Sequence, residues 1–211
     1  MKTWKMAVAM GWMAAGAACY GASDNLTVVM FDSAGVPRAV LDTAGKEAQW
    51  VFRAADVQTN WSVCQGSSDP TQHCLLPPAG SYVQVRIMGR AVDDTSHSRS
   101  NFARGAYATR CAPEERCFTA YVDYATVLAY ARVAEQPVGV ALAYVMAHEI
   151  GHLMGLEHSP CGVMKADFNR HDLQDAAASR LRFAADDARR LRSAVTRWAG
   201  SATPALVAEA R

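Results

Sequence analysis

Three histidines and one glutamate lie close together in the segment HEIGHLMGLEH. His148 and His152 are four residues apart, and Glu149 directly follows the first of them. On an α-helix, residues four apart lie on one face, one turn above the other, so both imidazoles can bind one divalent ion. Glu149 points to one side of that pair, where its carboxylate can hydrogen-bond a water on the ion without being a ligand. The spacing therefore indicates a metal site on a helix with a base beside it.

A third ligand must come from outside this helix, because a catalytic zinc site uses three protein ligands and keeps one position open. The next helical turn would continue past the ion along the same axis. Gly155 can adopt left-handed backbone angles at little cost, and glycine ends many helices in this way. His158, which follows three residues later, can then approach the ion from another direction. The sequence predicts a break at Gly155 and a zinc site formed by His148, His152 and His158.

The alternative interpretation is an ordinary amphipathic helix with histidines in its core or on its surface. For a single histidine that interpretation usually holds. Here three of the chain's six histidines lie within residues 148–158. A chance match to all five motif positions is on the order of 1 in 10,000 for a chain of this length. We therefore interpret the segment as a metal site.

The segment HEIGHLMGLEH, followed by Met164, resembles the metzincin clan of zinc metalloproteases, which share H-E-x-x-H-x-x-G-x-x-H and a methionine turn. The stretches GLEHS and DDARRL are most similar to the matrixin branch, in which an acidic pair lies in the last helix. The resemblance implies that the three histidines bind zinc and that Glu149 is the general base. It also implies that Met164 forms a hydrophobic floor under the metal.

The resemblance implies a metzincin-like α/β (α+β) fold: a twisted, mixed five-stranded sheet, an early helix, the zinc-binding active-site helix and a C-terminal helix. The hydrophobic patterns along the chain agree with that order of elements. Strands are predicted over 25–31, 59–64 and 82–88, a hairpin over 105–110 and 117–124, and helices over 37–56, from 125, over 138–154 and over 183–199. Residues 89–104 are predicted to form a long surface loop.

Several positions depart from the matrixin pattern. Only five residues separate His158 from Met164, fewer than in most matrixins. Lys165 stands where a matrixin has tyrosine, and Ala166 stands where some metzincins have a tyrosine that steadies the oxyanion. The family therefore does not predict the specificity pocket. Residues 105–110 are the candidate edge strand along which an extended substrate would add its own strand.

The first 22 residues have the features of a secretory signal peptide. Lys2 and Lys5 precede a short apolar run, and small residues surround a cleavage site near 18–22. The run is too short and too weakly apolar for a transmembrane span. We therefore expect residues 1–22 to be removed and residues 23–211 to form a single metzincin-like catalytic domain, secreted to the periplasm or the extracellular space.

Export would place the cysteines in an oxidising compartment, where disulfides form. The economical pairs each close a short polar loop: Cys64 with Cys74, and Cys111 with Cys117. Cys161 is then left over, either as a free thiol or as a partner for Cys19. Cys19 is itself an alternative site for a lipid anchor, because it directly follows the apolar run.

The sequence gives little indication of calcium or nucleic acid as further partners. Asp93 and Asp94 lie in the predicted loop and are candidates for calcium binding, although such pairs are more often turn residues. The remaining histidines, His73, His97 and His171, lie in polar contexts and are predicted to be surface residues. Charges nearly cancel at a formal +1, with no block of like charges, so nothing indicates a nucleic-acid partner.

The sequence as a whole predicts a secreted zinc-dependent endopeptidase that hydrolyses peptide or protein substrates by metal-activated water, with Glu149 as general base. One alternative is a non-catalytic secreted binding domain stabilised by zinc, and Glu149 argues against it because a structural site needs no base. The other is a zinc hydrolase of non-peptide bonds, which the sequence does not distinguish from a peptidase. Oligomeric state is not predicted.

Overall fold

The computed structural model describes residues 25–65, 77, 82–89, 106–110 and 118–202, with backbone alone at 65, 106–110 and 200–202. Several predicted features lie outside these ranges: the signal segment 1–22 with Cys19, Asp93 and Asp94 in the 89–104 loop, Gly105, the cysteines Cys74, Cys111 and Cys117, and the histidines His73 and His97. The signal peptide, the calcium site and both disulfide pairings therefore stay predictions.

In the described part of the chain one helix separates the first two strands, and four helices follow the last strand. In chain order they are β1 (Asn25–Asp32), α1 (Arg38–Arg53), β2 (Gln58–Gln65), β3 (Val83–Met88), β4 (Ala106–Arg110), β5 (Phe118–Asp123), α2 (Tyr124–Ala134), α3 (Val138–Leu153), α4 (Arg170–Ala177) and α5 (Ala185–Ala202). None of these helices is both long enough and apolar enough to cross a membrane. The α/β class predicted from the sequence is confirmed.

One sheet contains all five strands, in the order β2-β1-β3-β5-β4. The strands β2, β1, β3 and β5 run parallel to one another. The edge strand β4 pairs antiparallel with β5, with Ala108 opposite Ala120. Val83, Val85 and Ile87 of β3 are fully buried, as expected for a central strand covered by other elements. The predicted mixed sheet with a hairpin partner at its edge is therefore present.

The helix α3 lies in the middle of the packed core. Every one of its residues except Val138 and His152 is buried, so it has neighbours on nearly all sides. Its first turn crosses α1 closely, because a Cβ on Gly139 would lie only 2.8 Å from the Cβ of Thr43. Such dense packing leaves α3 little freedom to move and makes it a firm support for side chains of its last two turns.

Some element boundaries differ from the sequence prediction. The eight-residue helix α4 was not predicted, since only Leu173 and Ala176 in it are buried and its apolar pattern is too short to detect. A capping box between Asn169 and Asp172 starts it instead. The helix α1 ends at Arg53 rather than at residue 56, because Asp56 adopts a left-handed φ of 58°.

Candidate metal centre and active site

A tight turn ends α3 and reverses the chain beside His152. Gly155 has a φ of 88°; its N–H donates to the carbonyl of His152 (2.9 Å), and the N–H of Leu156 donates to the carbonyl of Gly151 (3.0 Å). This pair of bonds forms a Schellman motif, which glycine favours because a side chain is strained at positive φ. The turn directs the following residues back along the helix, towards His148 and His152.

The three predicted ligands are brought together by this reversal. The Nε2 atom of His152 lies 2.9 Å from that of His148 and 3.2 Å from that of His158. One ligand atom from each residue lies within 4.8 Å of the other two. Zinc–nitrogen bonds of about 2.0–2.1 Å in a tetrahedral site place two nitrogens about 3.3 Å apart. The spacing of the imidazoles therefore fits a single zinc ion.

The hydrogen bonds made by Nδ1 of His148 and His152 determine which ring nitrogen is free to bind a metal. Nδ1 of His148 donates to the carbonyl of Val163 at 2.8 Å, and Nδ1 of His152 donates to the carbonyl of Leu156 at 2.9 Å. A carbonyl oxygen only accepts, so these bonds assign the ring proton to Nδ1 and leave a lone pair on each Nε2. Two lone pairs 2.9 Å apart repel each other unless a cation lies between them. The donor set thus suits a divalent metal, with backbone carbonyls orienting the rings.

Burial keeps the same histidines neutral. It lowers the pKa of His148 to about 4, against which the bond to Val163 acts only in part. The pKa of His152 is lowered too, again mainly by burial. A neutral imidazole is the form that binds metal, so both rings are ready to act as ligands at neutral pH.

Glu149, the residue after His148 in α3, carries a buried carboxyl group. It is 5% exposed. In the metal-free site, burial raises its pKa to about 8. The positive charge of a bound zinc ion would lower this pKa and favour the carboxylate that acts as a base. Buried carboxyl groups with raised pKa values are common at functional sites, and the role of Glu149 as general base stays a prediction.

Met164 lies against the inner face of α3. It is fully buried, and a Cβ added to Gly151 would lie 2.4 Å from its sulfur atom. The lack of a side chain at Gly151, between the two helical ligands, therefore makes room for the sulfur. Met164 therefore packs against α3 at the glycine between the two helical ligands, and its role as an apolar floor stays a prediction.

Residues 159–165, which we call the methionine turn, are fixed to the chain just before α5. Gly162 has a φ of 77°, and a Cβ there would lie 2.5 Å from the carbonyl oxygen of Arg182. The N–H of Val163 donates to that same oxygen at 3.0 Å. The carbonyl of Val163 also accepts the hydrogen bond from His148. The position of this ligand therefore depends, through the methionine turn, on the backbone just before α5.

The first turn of α5 also reaches the site. Asp187 is 4% exposed and accepts a 2.6 Å hydrogen bond from the hydroxyl of Ser159, the residue after His158. Asp186, next to it, is exposed and pairs with Arg189. The acidic pair that the resemblance pointed out is therefore divided between an inner residue at the site and an outer residue in solvent.

Two aromatic residues near the site were not predicted. The ring of Phe168 meets the ring of His148 edge-on, with centroids 5.8 Å apart. The hydroxyl of Tyr130, on α2, donates to the backbone carbonyl of Phe168. Burial, with help from Asp172 and Asp167, raises the pKa of Tyr130 to about 12, so the phenol stays protonated. A single aromatic residue outside a motif gives no signal in the sequence that it will pack near a metal site.

The remaining predicted residues lie at or near the surface or form the edge of the sheet. His171 is exposed, as predicted for a surface residue. Cys161 is a free, exposed cysteine. Lys165 pairs with Asp172 at 2.6 Å. Residues 106–110 form the edge strand β4, so the substrate-binding strand stays a prediction.

Comparison with known proteins identifies a family and a fold. A sequence profile described as matrixin matches residues 45–193, which is more than half of the chain. No protein of curated function matches in sequence. Among solved structures, "metalloproteinase-II from Bacteroides fragilis" has a similar fold, with a TM-score of 0.51 and 12% identity. The match covers 83% of this chain and 54% of that one, so the chain spans about half the length of its structural neighbour.

Proposed function

The chain belongs to the matrixin family of zinc metallopeptidases, and on that premise we propose that it is a secreted zinc-dependent endopeptidase acting on peptide or protein substrates. In this proposal, His148, His152 and His158 bind the zinc and Glu149 is the general base. Met164 is the apolar floor, and Gly155 is the turn that allows the third ligand to return.

One observation supports the proposal: the ligand atoms of three imidazoles converge, and the residue directly after the first of them, Glu149, carries a buried carboxyl group. A structural zinc site has no use for such a group, because its four positions are filled by ligands. A hydrolytic site needs it, because water must lose a proton as it attacks a carbonyl.

The residues divide the chemistry among them. Zinc bound at the three Nε2 atoms would supply a Lewis acid that acidifies water and polarises a substrate carbonyl. Glu149 takes a proton from the attacking water and passes it to the leaving nitrogen. The carbonyls of Val163 and Leu156 keep His148 and His152 in the tautomer that presents Nε2. Burial of His148 and Glu149 limits the access of bulk water to the inner side of the site.

Export is supported by the sequence of residues 1–22, with its two lysines, short apolar run and small residues. Cleavage near 18–22 would release residues 23–211 as the mature domain. A lipid anchor at Cys19 is the alternative outcome of the same processing, and the mass of the mature N-terminal peptide distinguishes the two.

The test is hydrolysis of a mixed peptide library by the purified chain, with zinc measured by mass spectrometry. We expect one zinc per chain, internal cleavage of peptides, loss of activity when a chelator removes the zinc, and recovery when zinc is restored. One zinc without cleavage of any peptide would support the zinc-stabilised binding domain instead. Cleavage of ester or other non-peptide substrates alone would support the second alternative.

A further inference from the structure

A closed path of hydrogen bonds begins and ends on α3, one helical turn apart. The hydroxyl of Tyr144 donates to the backbone carbonyl of Leu181 at 3.1 Å. The carbonyl of the next residue, Arg182, accepts a bond from the N–H of Val163 at 3.0 Å. The carbonyl of Val163 then accepts a bond from Nδ1 of His148 at 2.8 Å. Because Tyr144 and His148 are four residues apart, they lie on one face of the helix, and both ends of the path share one support.

This path runs through the interior of the protein. Tyr144 and Val163 are fully buried, and Leu181 and His148 are buried as well. Water therefore competes little with these hydrogen bonds, and the low local dielectric strengthens them. A hydroxyl in such surroundings is costly unless it is hydrogen-bonded, whereas phenylalanine would fill nearly the same volume without needing a partner. The tyrosine at position 144 is thus suited to its hydrogen bond as well as to packing.

The phenol of Tyr144 is the donor in the first of these bonds. Burial, with help from the charge of Glu47, raises the pKa of this tyrosine above its ordinary value, and a carbonyl can only accept. The carbonyl of Ala176 also lies within reach of the hydroxyl, at 3.5 Å. Hydrogen bonds weaken as they lengthen, so we assign the single phenol proton to the shorter bond, to Leu181.

The position of Val163 affects the direction in which the ring of His148 points. The bond from Nδ1 orients the imidazole and leaves Nε2 free for a metal. Val163 is itself bonded to Arg182, and the contact is close, since a Cβ on Gly162 would lie 2.5 Å from the same carbonyl oxygen. Residues 181–182 therefore form a spacer between the phenol and the methionine turn. A ligand must be held within about 0.5 Å of its productive position, so a small shift of this spacer is enough to matter.

We propose that Tyr144 is a positioning residue for His148, and that it acts through the backbone of residues 181–182 and the methionine turn. The proposal rests on the proposed role of His148 as a zinc ligand. It extends the support of the metal centre to a residue one turn before the HEIGH segment, whose hydroxyl is directed to a backbone carbonyl and not to the imidazoles.

The experiment compares two substitutions that each remove a side-chain donor to a backbone carbonyl. Tyr144→Phe is the test. Gln49→Met is the matched control, because the Gln49 amide donates to the carbonyl of Thr59 at 3.0 Å and joins α1 to β2 without involving the path. Zinc affinity is measured by competition with a chromophoric chelator. The ligand geometry is followed by the visible spectrum of the cobalt-substituted protein.

We expect Tyr144→Phe to weaken zinc binding roughly three- to tenfold, less than the loss of a direct hydrogen-bond partner of a ligand, because it acts at one remove. The cobalt spectrum should shift as well. Both variants should have a lower melting temperature, since each loses a hydrogen bond, but Gln49→Met should keep zinc affinity within about twofold of the wild type. Equal zinc affinity and an unchanged spectrum in Tyr144→Phe would overturn the proposal, as would equal weakening in both variants.

The spacer is tested in a double-mutant cycle with Gly162→Ala. A Cβ at this position pushes against the carbonyl of Arg182 and so separates the spacer from the methionine turn. Adding Tyr144→Phe to that variant should then cause little further loss of zinc affinity. Full additivity would show that Tyr144 does not act through residues 181–182. If Tyr144→Phe does not fold, Gly162→Ala alone must weaken zinc binding by about threefold or more for the proposal to stand. A wild-type chain that binds no zinc would instead overturn the proposed function, so the two failures are distinct.

Discussion

The metal centre has two halves that are supported in different ways. The helical half contains His148, Glu149 and His152, all within α3, where His148 and Glu149 are each 5% exposed. The returning half, residues 154–165, contributes His158, which is exposed. Both histidines of the helical half have Nδ1 bonded to a carbonyl. The ring of His158 lies near those of His148 and His152, with centroids 5.4 and 4.8 Å away, and its Nε2 atom lies 3.2 Å from that of His152.

The two halves show that His158 can be positioned by its main chain, without a hydrogen bond from its ring to a backbone carbonyl of the described residues. The helical half is preorganised, because its side chains are packed and hydrogen-bonded before any metal arrives. In the returning half the main chain is fixed instead: the N–H of Ser159 donates to the carbonyl of Met164 at 2.8 Å, and its hydroxyl donates to Asp187. We therefore expect loss of a histidine from the helical half to weaken both zinc binding and the metal-free fold, and loss of His158 to weaken zinc binding alone.

The largest expected effect distinguishes Glu149 from Glu157, since each half contains one glutamate. Glu149→Gln keeps the shape of the side chain but removes the base, so kcat/KM should fall on the order of 10²- to 10⁴-fold while bound zinc stays at one per chain. Glu157 is exposed, and Glu157→Gln should retain activity within about twofold. Peptide hydrolysis and zinc analysis on both variants provide the comparison. Appreciable hydrolysis by Glu149→Gln would remove it from the mechanism.

The next largest effect is expected from loss of a zinc ligand, and it differs between the helical half and the returning half. His158→Ala and His148→Ala should each weaken zinc binding by more than about 100-fold, because each removes a direct ligand. Only His148→Ala should also lower the stability of the metal-free protein, by about 1–3 kcal/mol, because it leaves the carbonyl of Val163 without its donor. Chelator competition and thermal unfolding of the metal-free variants separate these effects. A matching loss of metal-free stability in His158→Ala would contradict the division into halves.

A smaller effect tests the attachment of the returning half to α5. Asp187→Asn keeps the size of the side chain but removes the charge that strengthens the bond from Ser159 and favours the helix start, so unfolding should become easier by about 1–2 kcal/mol. Asp186→Asn, at the exposed neighbour, should cost less than about 1 kcal/mol. Denaturant unfolding of both variants is the measurement. If the two substitutions cost the same, the hydrogen bond at Ser159 contributes nothing specific.

The smallest effect concerns the junction of the two halves. Gly155→Ala introduces a side chain at a φ of 88° and should cost about 1 kcal/mol, with a modest loss of zinc affinity because His158 follows the turn. Gly155→Asn should cost less, since asparagine tolerates left-handed angles better than alanine. Thermal unfolding of the zinc-loaded and metal-free forms shows whether the penalty falls on the fold, on the site, or on both. A more stable Gly155→Ala variant would contradict the strain argument.

The sequence predicted the parts of the site that depend on residue type. Histidines four apart, a glutamate beside one of them and a glycine before the third suffice to predict a metal centre, and α3 and the sheet follow from hydrophobic patterns. The supports of the site could not be predicted in this way. The acceptors for His148 and His152 are backbone carbonyls, which every residue carries. The helix α4 and the contact between Tyr130 and Phe168 depend on how distant segments pack, which local patterns do not encode.

The carbonyl acceptors have a consequence for engineering. A partner that belongs to the main chain survives any substitution at its own position, so neither Val163 nor Leu156 offers a direct way to retune the imidazole basicity. Such tuning has to alter the path of the backbone, through the bends at Gly155 and Gly162 or through the anchor at Arg182. Libraries designed to change metal preference should therefore randomise these bends rather than the residues whose oxygens the histidines contact.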